Sequence, residues 1–78
     1  MSETVFLQVQ TIFRNFFRNQ TIGLTETTTT EDLDVWDSLN HLALMHEIEN
    51  HFKIQFSLNE IIGFKNVGEM VNCISNKL

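Results

Sequence analysis

The chain has 78 residues and a formal net charge of −5, with ten acidic side chains against five basic ones. That length is one small domain, residues 1–78, whose core supplies only a few kcal/mol of net stability and leaves little room for an enclosed catalytic cleft. The charge balance speaks against nucleic acid, whose phosphates are bound through Lys and Arg, and favours a basic protein partner.

The N-terminus, MSETVFLQVQ, lacks the basic region and long apolar run of a signal peptide. No stretch reaches transmembrane length. Cys73 is the single cysteine, so no internal disulfide forms. These features predict a cytoplasmic, soluble chain with no membrane insertion.

Val5, Val9, Ile12, Phe13 and Phe16 recur at helical spacing, with Phe6 and Phe17 beside them, and predict an amphipathic helix over 4–18. Ser2 or Glu3 can serve its free N–H groups. Arg14 and Arg18 suit the negative end of its dipole. From 20 to 37 the pattern breaks at Gly23 and enters a threonine-rich run. Such a run favours a strand, but no partner strand is in sight. A long ordered loop is expected, pinned by Ile22, Leu24, Leu33 and Val35, and long loops in compact domains are often functional.

A second helix is predicted from about Ser38 to Phe52, with Asp37 as N-cap. Leu42, Leu44, Met45, Ile48 and Phe52 fall on an arc of roughly 160° that should face the core. Leu39, Ala43, His46 and Asn50 should face outward. Ser57 and Glu60 then have capping-box spacing, and Phe56 and Ile61 that of a hydrophobic staple. Gly63 should stop this third helix early. A last helix starts near Asn66, with Glu69 three residues on, and buries Val67, Met70, Val71, Ile74 and Leu78. The whole predicts an all-α four-helix bundle with a long first loop and a short third helix.

Metal chemistry finds little support. His41, His46 and His51 are five apart on one helix, so neighbours diverge by roughly 140°, whereas metal pairs favour four-residue spacing. Nucleophilic catalysis is no better supported. Ser38 and His41 are helical neighbours by spacing alone, and no oxyanion hole is evident. Cys73 flanks an apolar stripe and is expected to be a small core residue. No catalytic residue is assigned, and no enzyme activity is expected.

Val35-Trp36-Asp37-Ser38-Leu39 stands apart. It puts an exposed hydroxyl where a long loop meets the positive end of a helix. A phosphate ester there would gain from the dipole and from free N–H groups. Physics alone leaves open a serine that merely begins a helix, which is common.

Asp37-Ser38-Leu39, then Leu42, Leu44, Ile48, Glu49 and Phe52, then Phe56, Ile61, Phe64, Val67 and Ile74, resemble the acyl carrier proteins without a gap. The likeness is close over 37–75; residues 1–36 fit in helix–loop pattern. The resemblance implies that Ser38, flanked by Asp37 and Leu39, carries a 4'-phosphopantetheine arm added from coenzyme A by a phosphopantetheinyl transferase. The arm's thiol would hold an acyl group as a thioester, and the flexible tether would raise the cargo's local concentration at each enzyme visited. Acyl-loading and acyl-transfer enzymes are the implied partners of a monomeric carrier. Leu39, Ala43, His46, Glu47 and Asn50 form the expected partner face, with Glu47 and Glu49 as its marginal acids. An aminoacyl or peptidyl carrier would use the same serine, and a non-covalent helical adaptor is the reading from another class.

The sequence departs from the usual fatty-acid carriers in two respects. The outward face, including Asn40, is poor in charge. Ile61 and Met70 stand where chain-sequestering carriers commonly have small residues, which predicts a filled interior and a short or polar cargo. Trp36 before the motif resembles discrete carriers of specialised pathways, though packing of the loop explains it equally well. A dedicated biosynthetic pathway is therefore expected.

Overall fold

The computed structural model describes residues 3–78. Four helices follow one another: α1 (Glu3–Phe16), α2 (Ser38–Phe52), α3 (Leu58–Gly63) and α4 (Val67–Lys77), with a 3-10 turn at Thr30–Asp32. Among the described residues there is no strand, and no helix is long and apolar enough to cross a membrane.

In α1 the periodicity works as expected. Val5, Val9 and Phe13, four apart, are buried, and Ile12 and Phe16 pack at their edge. The proposed start at Ser2 lies outside the described residues, while Glu3 sits in the first turn. The helix stops at Phe16 rather than 18, because Arg18 turns left-handed at φ 54°. Arg18 is therefore off the helix and does not share a face with Arg14. Arg14 does more than meet the dipole. Its Nε donates to the carbonyl of Ile22 at 2.6 Å and folds the loop back on α1.

The long loop is ordered by its own polar groups. Ile22 and Leu24 are buried, as expected, and the Leu24 N–H donates to Gln10 Oε1 at 2.8 Å. Thr28 is the unforeseen anchor. It is buried, and its hydroxyl accepts from the Thr25 N–H at 2.8 Å. The N–H groups of Val67 and Gly68 donate to the carbonyls of Thr28 (2.9 Å) and Glu26 (2.8 Å). The loop thus satisfies donors that the first turn of α4 cannot pair internally. A Cβ on Gly68 would stand 2.8 Å from the Glu26 oxygen, so the close approach needs a glycine. Leu33 is half-buried against the core. Val35 does not pin the loop: its side chain is exposed, while its carbonyl accepts from Asn40 Nδ2.

Helix α2 has the expected bounds, and Leu44, Met45 and Ile48 are fully buried, with Phe52 half-buried. Leu42 departs from the reading. It lies at the margin of the stripe, on the side next to α3, and six residues of helix do not cover it; it is exposed. Lys53, at φ 57°, ends α2.

Ser57 and Glu60 make the anticipated capping box on α3, and both staple residues, Phe56 and Ile61, join the core cluster. Gly63 does not end α3 as a left-handed cap, since no glycine has positive φ among the described residues. Instead Phe64 turns extended and packs edge-on to Phe56, ring centroids 5.4 Å apart. Asn66 caps α4, accepting from the Glu69 N–H at 2.9 Å. Val67, Met70, Val71 and Ile74 are buried, but Leu78 lies past the helix and is exposed.

Candidate functional site

The site begins with Asp37, whose extended backbone (φ −127°, ψ −179°) stops the helix from continuing backwards. Its Oδ1 accepts from the N–H groups of Leu39 (3.0 Å) and Asn40 (3.1 Å). In return Asn40 Oδ1 accepts from the Asp37 N–H at 3.0 Å. A reciprocal cap of this kind satisfies donors at both ends of the turn. Ser38 is the first residue of α2 and is exposed. The geometry differs from the sequence expectation in one respect. The N–H groups of Leu39 and Asn40 are already occupied by Asp37, so they are not free for a phosphate, though the helix dipole still favours one.

Beside Ser38 runs an open groove of about 610 Å³ between the loop, α2 and α3. Its lining includes Trp36, Leu42, Leu58, Ile61 and Ile62, with Asp37 as the charged member. Leu39 is 90% exposed and Ile62 70%, and Leu58 is also exposed. An apolar patch around one hydroxyl marks a place where something docks. Sequence reasoning missed Leu42, Leu58 and Ile62 because helical periodicity assumes a partner on the apolar side, and α3 is too short to provide one.

The proposed outward residues Leu39, Ala43, His46, Glu47 and Asn50 are all exposed. Two side chains read as outward are engaged elsewhere. Asn40 belongs to the cap. Glu49 turns back under the helix, where its Oε2 accepts from the Phe56 N–H at 2.7 Å.

The three histidines have separate partners. His51 Nε2 donates to Gln8 Oε1 at 2.9 Å and links α2 to α1. His46 lies 3.7 Å from Glu49. His41 is half-buried. Trp36 Nε1 donates to its Nδ1 at 3.0 Å, and its Nε2 meets the Ile61 carbonyl at 2.9 Å. Both nitrogens are taken, so His41 is not available as a base for Ser38. Trp36 itself is buried, edge-on to Phe13 with centroids 5.0 Å apart. Packing of the loop therefore accounts for this tryptophan. No helical spacing joins positions 36 and 41, so no local signal could have disclosed the pair.

A second polar cluster sits between α3 and α4. Glu60 accepts from the Ser57 N–H (2.7 Å), pairs with Lys77 Nζ (3.1 Å) and accepts from Cys73 Sγ (3.4 Å). The Ser57 hydrogen bond foremost, then Lys77, holds the Glu60 carboxyl down to about 2. Partial burial foremost, then Glu60, pushes the Cys73 thiol above its usual value. A thiol so placed is a poor nucleophile, in keeping with its role as a small packing residue. Met70 is fully buried, while Ile61 is half-buried and lines the groove.

The sequence profile of the family described as "Phosphopantetheine attachment site" matches residues 7–74. Among solved structures, the chain is similar to the holo acyl carrier protein from Geobacter metallireducens, determined by solution NMR. The two share 38% identity and a TM-score of 0.87, over 94% of this chain and 84% of that one. No curated protein matches.

Proposed function

The chain belongs to the phosphopantetheine-attachment family, as an acyl carrier protein, and from that premise we propose that Ser38 is the residue that bears the arm. A member of this family is a carrier rather than an enzyme, and its prosthetic group is a covalently held phosphopantetheine. The group supplies a terminal thiol on which cargo is held as a thioester.

One observation carries the assignment. Ser38 is an exposed hydroxyl at the first position of α2, set by the Asp37 cap and opening directly onto the groove. The residues present fit the group: nothing blocks the hydroxyl, and the neighbouring side chains of Leu39 and Leu42 are apolar and exposed. The reciprocal hydrogen bonds of Asp37 and Asn40 hold the attachment turn, which gives a transferase a defined presentation of the serine.

Residues 1–78 act as one monomeric, cytoplasmic carrier domain in this reading. Its partners are a phosphopantetheinyl transferase and the enzymes that load and unload cargo in a dedicated biosynthetic pathway. Leu39, Ala43, His46, Glu47 and Asn50 form their docking face, extended by Leu58 and Ile62. An acyl cargo is favoured over an aminoacyl one by the apolar lining of the groove and by the similarity to a holo acyl carrier protein. Buried Met70 supports a short or polar acyl group, since it fills the interior that a long chain would need.

The test is mass spectrometry after incubation with coenzyme A and a broad-range transferase. Wild type should gain one arm, and Ser38→Ala none while keeping its helical circular dichroism. Arm addition to Ser38→Ala would move the attachment elsewhere.

A further inference from the structure

We propose that His41 is a positioning residue: a strut that fixes α3 to the serine-bearing turn and thereby sets the width of the groove beside Ser38. An indole N–H can only donate. The 3.0 Å bond from Trp36 Nε1 therefore makes Nδ1 of His41 the acceptor. The remaining proton of the neutral ring then sits on Nε2 and is donated to the Ile61 carbonyl, 2.9 Å away. One rigid ring thus spans from the loop to α3, with its tautomer assigned by its two neighbours.

Each end of the strut answers a local need. α3 has six residues, too few to be stable alone. The Ile61 carbonyl lies in its last turn, where helices leave carbonyls unpaired. At the other end, the Trp36 N–H belongs to a buried side chain and needs an acceptor. Trp36 is in turn held edge-on by Phe13 of α1. The chain of contacts Phe13, Trp36, His41, Ile61 therefore refers the position of α3 to the first helix. On its opposite side α3 is tied to α4 through Glu60 with Lys77 and Cys73. Ile61, Ile62 and Leu58 move with α3, and they are one wall of the groove; Leu42 of α2 lies on the other.

Without the two ring nitrogens the buried Trp36 N–H would have no acceptor there, and α3 would lose this tie to the loop. The groove's use by cargo rests on the Ser38 reading, whereas the strut does not.

The experiment is NMR of the full chain at one fixed neutral pH, comparing wild type with His41→Phe, which keeps a ring but has no nitrogen. Trp36 is the sole tryptophan, so its indole N–H signal is unambiguous. In His41→Phe that signal should move upfield and exchange faster with solvent. The backbone amides of Ile61 and Ile62 should also exchange faster, while those of Val71 and Ile74 in α4 keep the wild-type rate. His41→Gln, whose amide can both accept and donate, should restore part of the protection at both places, and the double variant His46→Gln/His51→Gln should leave it unchanged. An indole N–H as protected in His41→Phe as in wild type, α3 amides that do not loosen with it, or the same loosening in the double variant overturns the proposal. None of these readouts needs an arm on Ser38, so failure of attachment and failure of the strut are distinguishable.

Discussion

Glu49 accepts a hydrogen bond from the backbone N–H of Phe56 at 2.7 Å, across the turn that joins α2 to α3. The carboxylate sits on α2, yet it orders the residue just before the next helix's cap. Its side chain is 20% exposed, so water competes for it weakly. A bond of this kind to an ionised acceptor contributes about 1.5–3 kcal/mol. Glu49→Ala should therefore lower stability by about 1–2 kcal/mol in urea unfolding, while Glu47→Ala, on an exposed position, should change it by less than about 0.5 kcal/mol. Equal effects of the two would mean that the bond to Phe56 does not hold in solution.

Gly68 offers a test of the seam between loop and α4. Alanine is the better helix former by about 1 kcal/mol, so on an open helix Gly68→Ala would stabilise. Here the new Cβ would meet the Glu26 carbonyl oxygen at 2.8 Å. Forced displacement in a packed site costs about 1–3 kcal/mol. The net expectation is a loss of up to about 2 kcal/mol and faster exchange of the Val67 and Gly68 amides. A rise in the unfolding midpoint would show that the loop yields freely.

Glu60 predicts a pH dependence of known sign. Its carboxyl is lowered from an ordinary 4.5 to about 2, first by the Ser57 N–H and then by Lys77. A depressed acid stabilises the fold above its unfolded value, and that contribution is lost as pH falls through the folded one. The window is therefore from about pH 4.5 down to about pH 2. Glu60→Gln should be less stable than wild type at neutral pH and should lose less on acidification through that window. Parallel pH curves for the two proteins would remove Glu60 from the account.

Partner contact should depend on Leu39 more than on rim charge. Leu39 is 90% exposed beside Ser38, and burying such a side chain in an interface is worth about 1.5–3 kcal/mol. Leu39→Ala should slow cargo transfer by a cognate enzyme about tenfold or more. Glu47→Gln should act mainly on association, and modestly. Added salt should weaken transfer only slightly. If salt abolishes transfer and Leu39→Ala is neutral, charge rather than shape brings partners to this face.

The helices were legible because their signals are local. Asp37, Ser57 and Asn66 each announce a helix start within four residues, and each caps the helix it announces. The serine was legible in the same way, as a hydroxyl at a loop–helix junction. What stayed hidden depends on contacts distant in sequence or on what a helix fails to cover. The orientation of Leu42 follows from the shortness of α3. The burial of Thr28 follows from α4 taking its carbonyl. The inward turn of Glu49 follows from the position of Phe56, and the engagement of His41 from a tryptophan at no helical spacing. Periodicity names the face of a helix, but it does not say how far the opposing element reaches.

The connection between α1 and α2 has two parts with different mechanical character. Through Thr28 it is sewn to its neighbours: Arg14 holds the Ile22 carbonyl, Gln10 holds the Leu24 N–H, and Val67 and Gly68 hold the carbonyls of Thr28 and Glu26. From Thr29 to Asp32 its turn is closed by its own residues, Thr29 and Asp32. Lengthening the first part would drag the opening turn of α4 out of register, whatever residues were added. Extra residues within the Thr29–Asp32 turn would break only that turn's own bonds and add the slow entropic cost of a longer excursion, provided that Leu33 keeps its place against the core. Tolerance to insertion, and the place where a label or a graft fits, thus follows the stitching rather than the length of the loop.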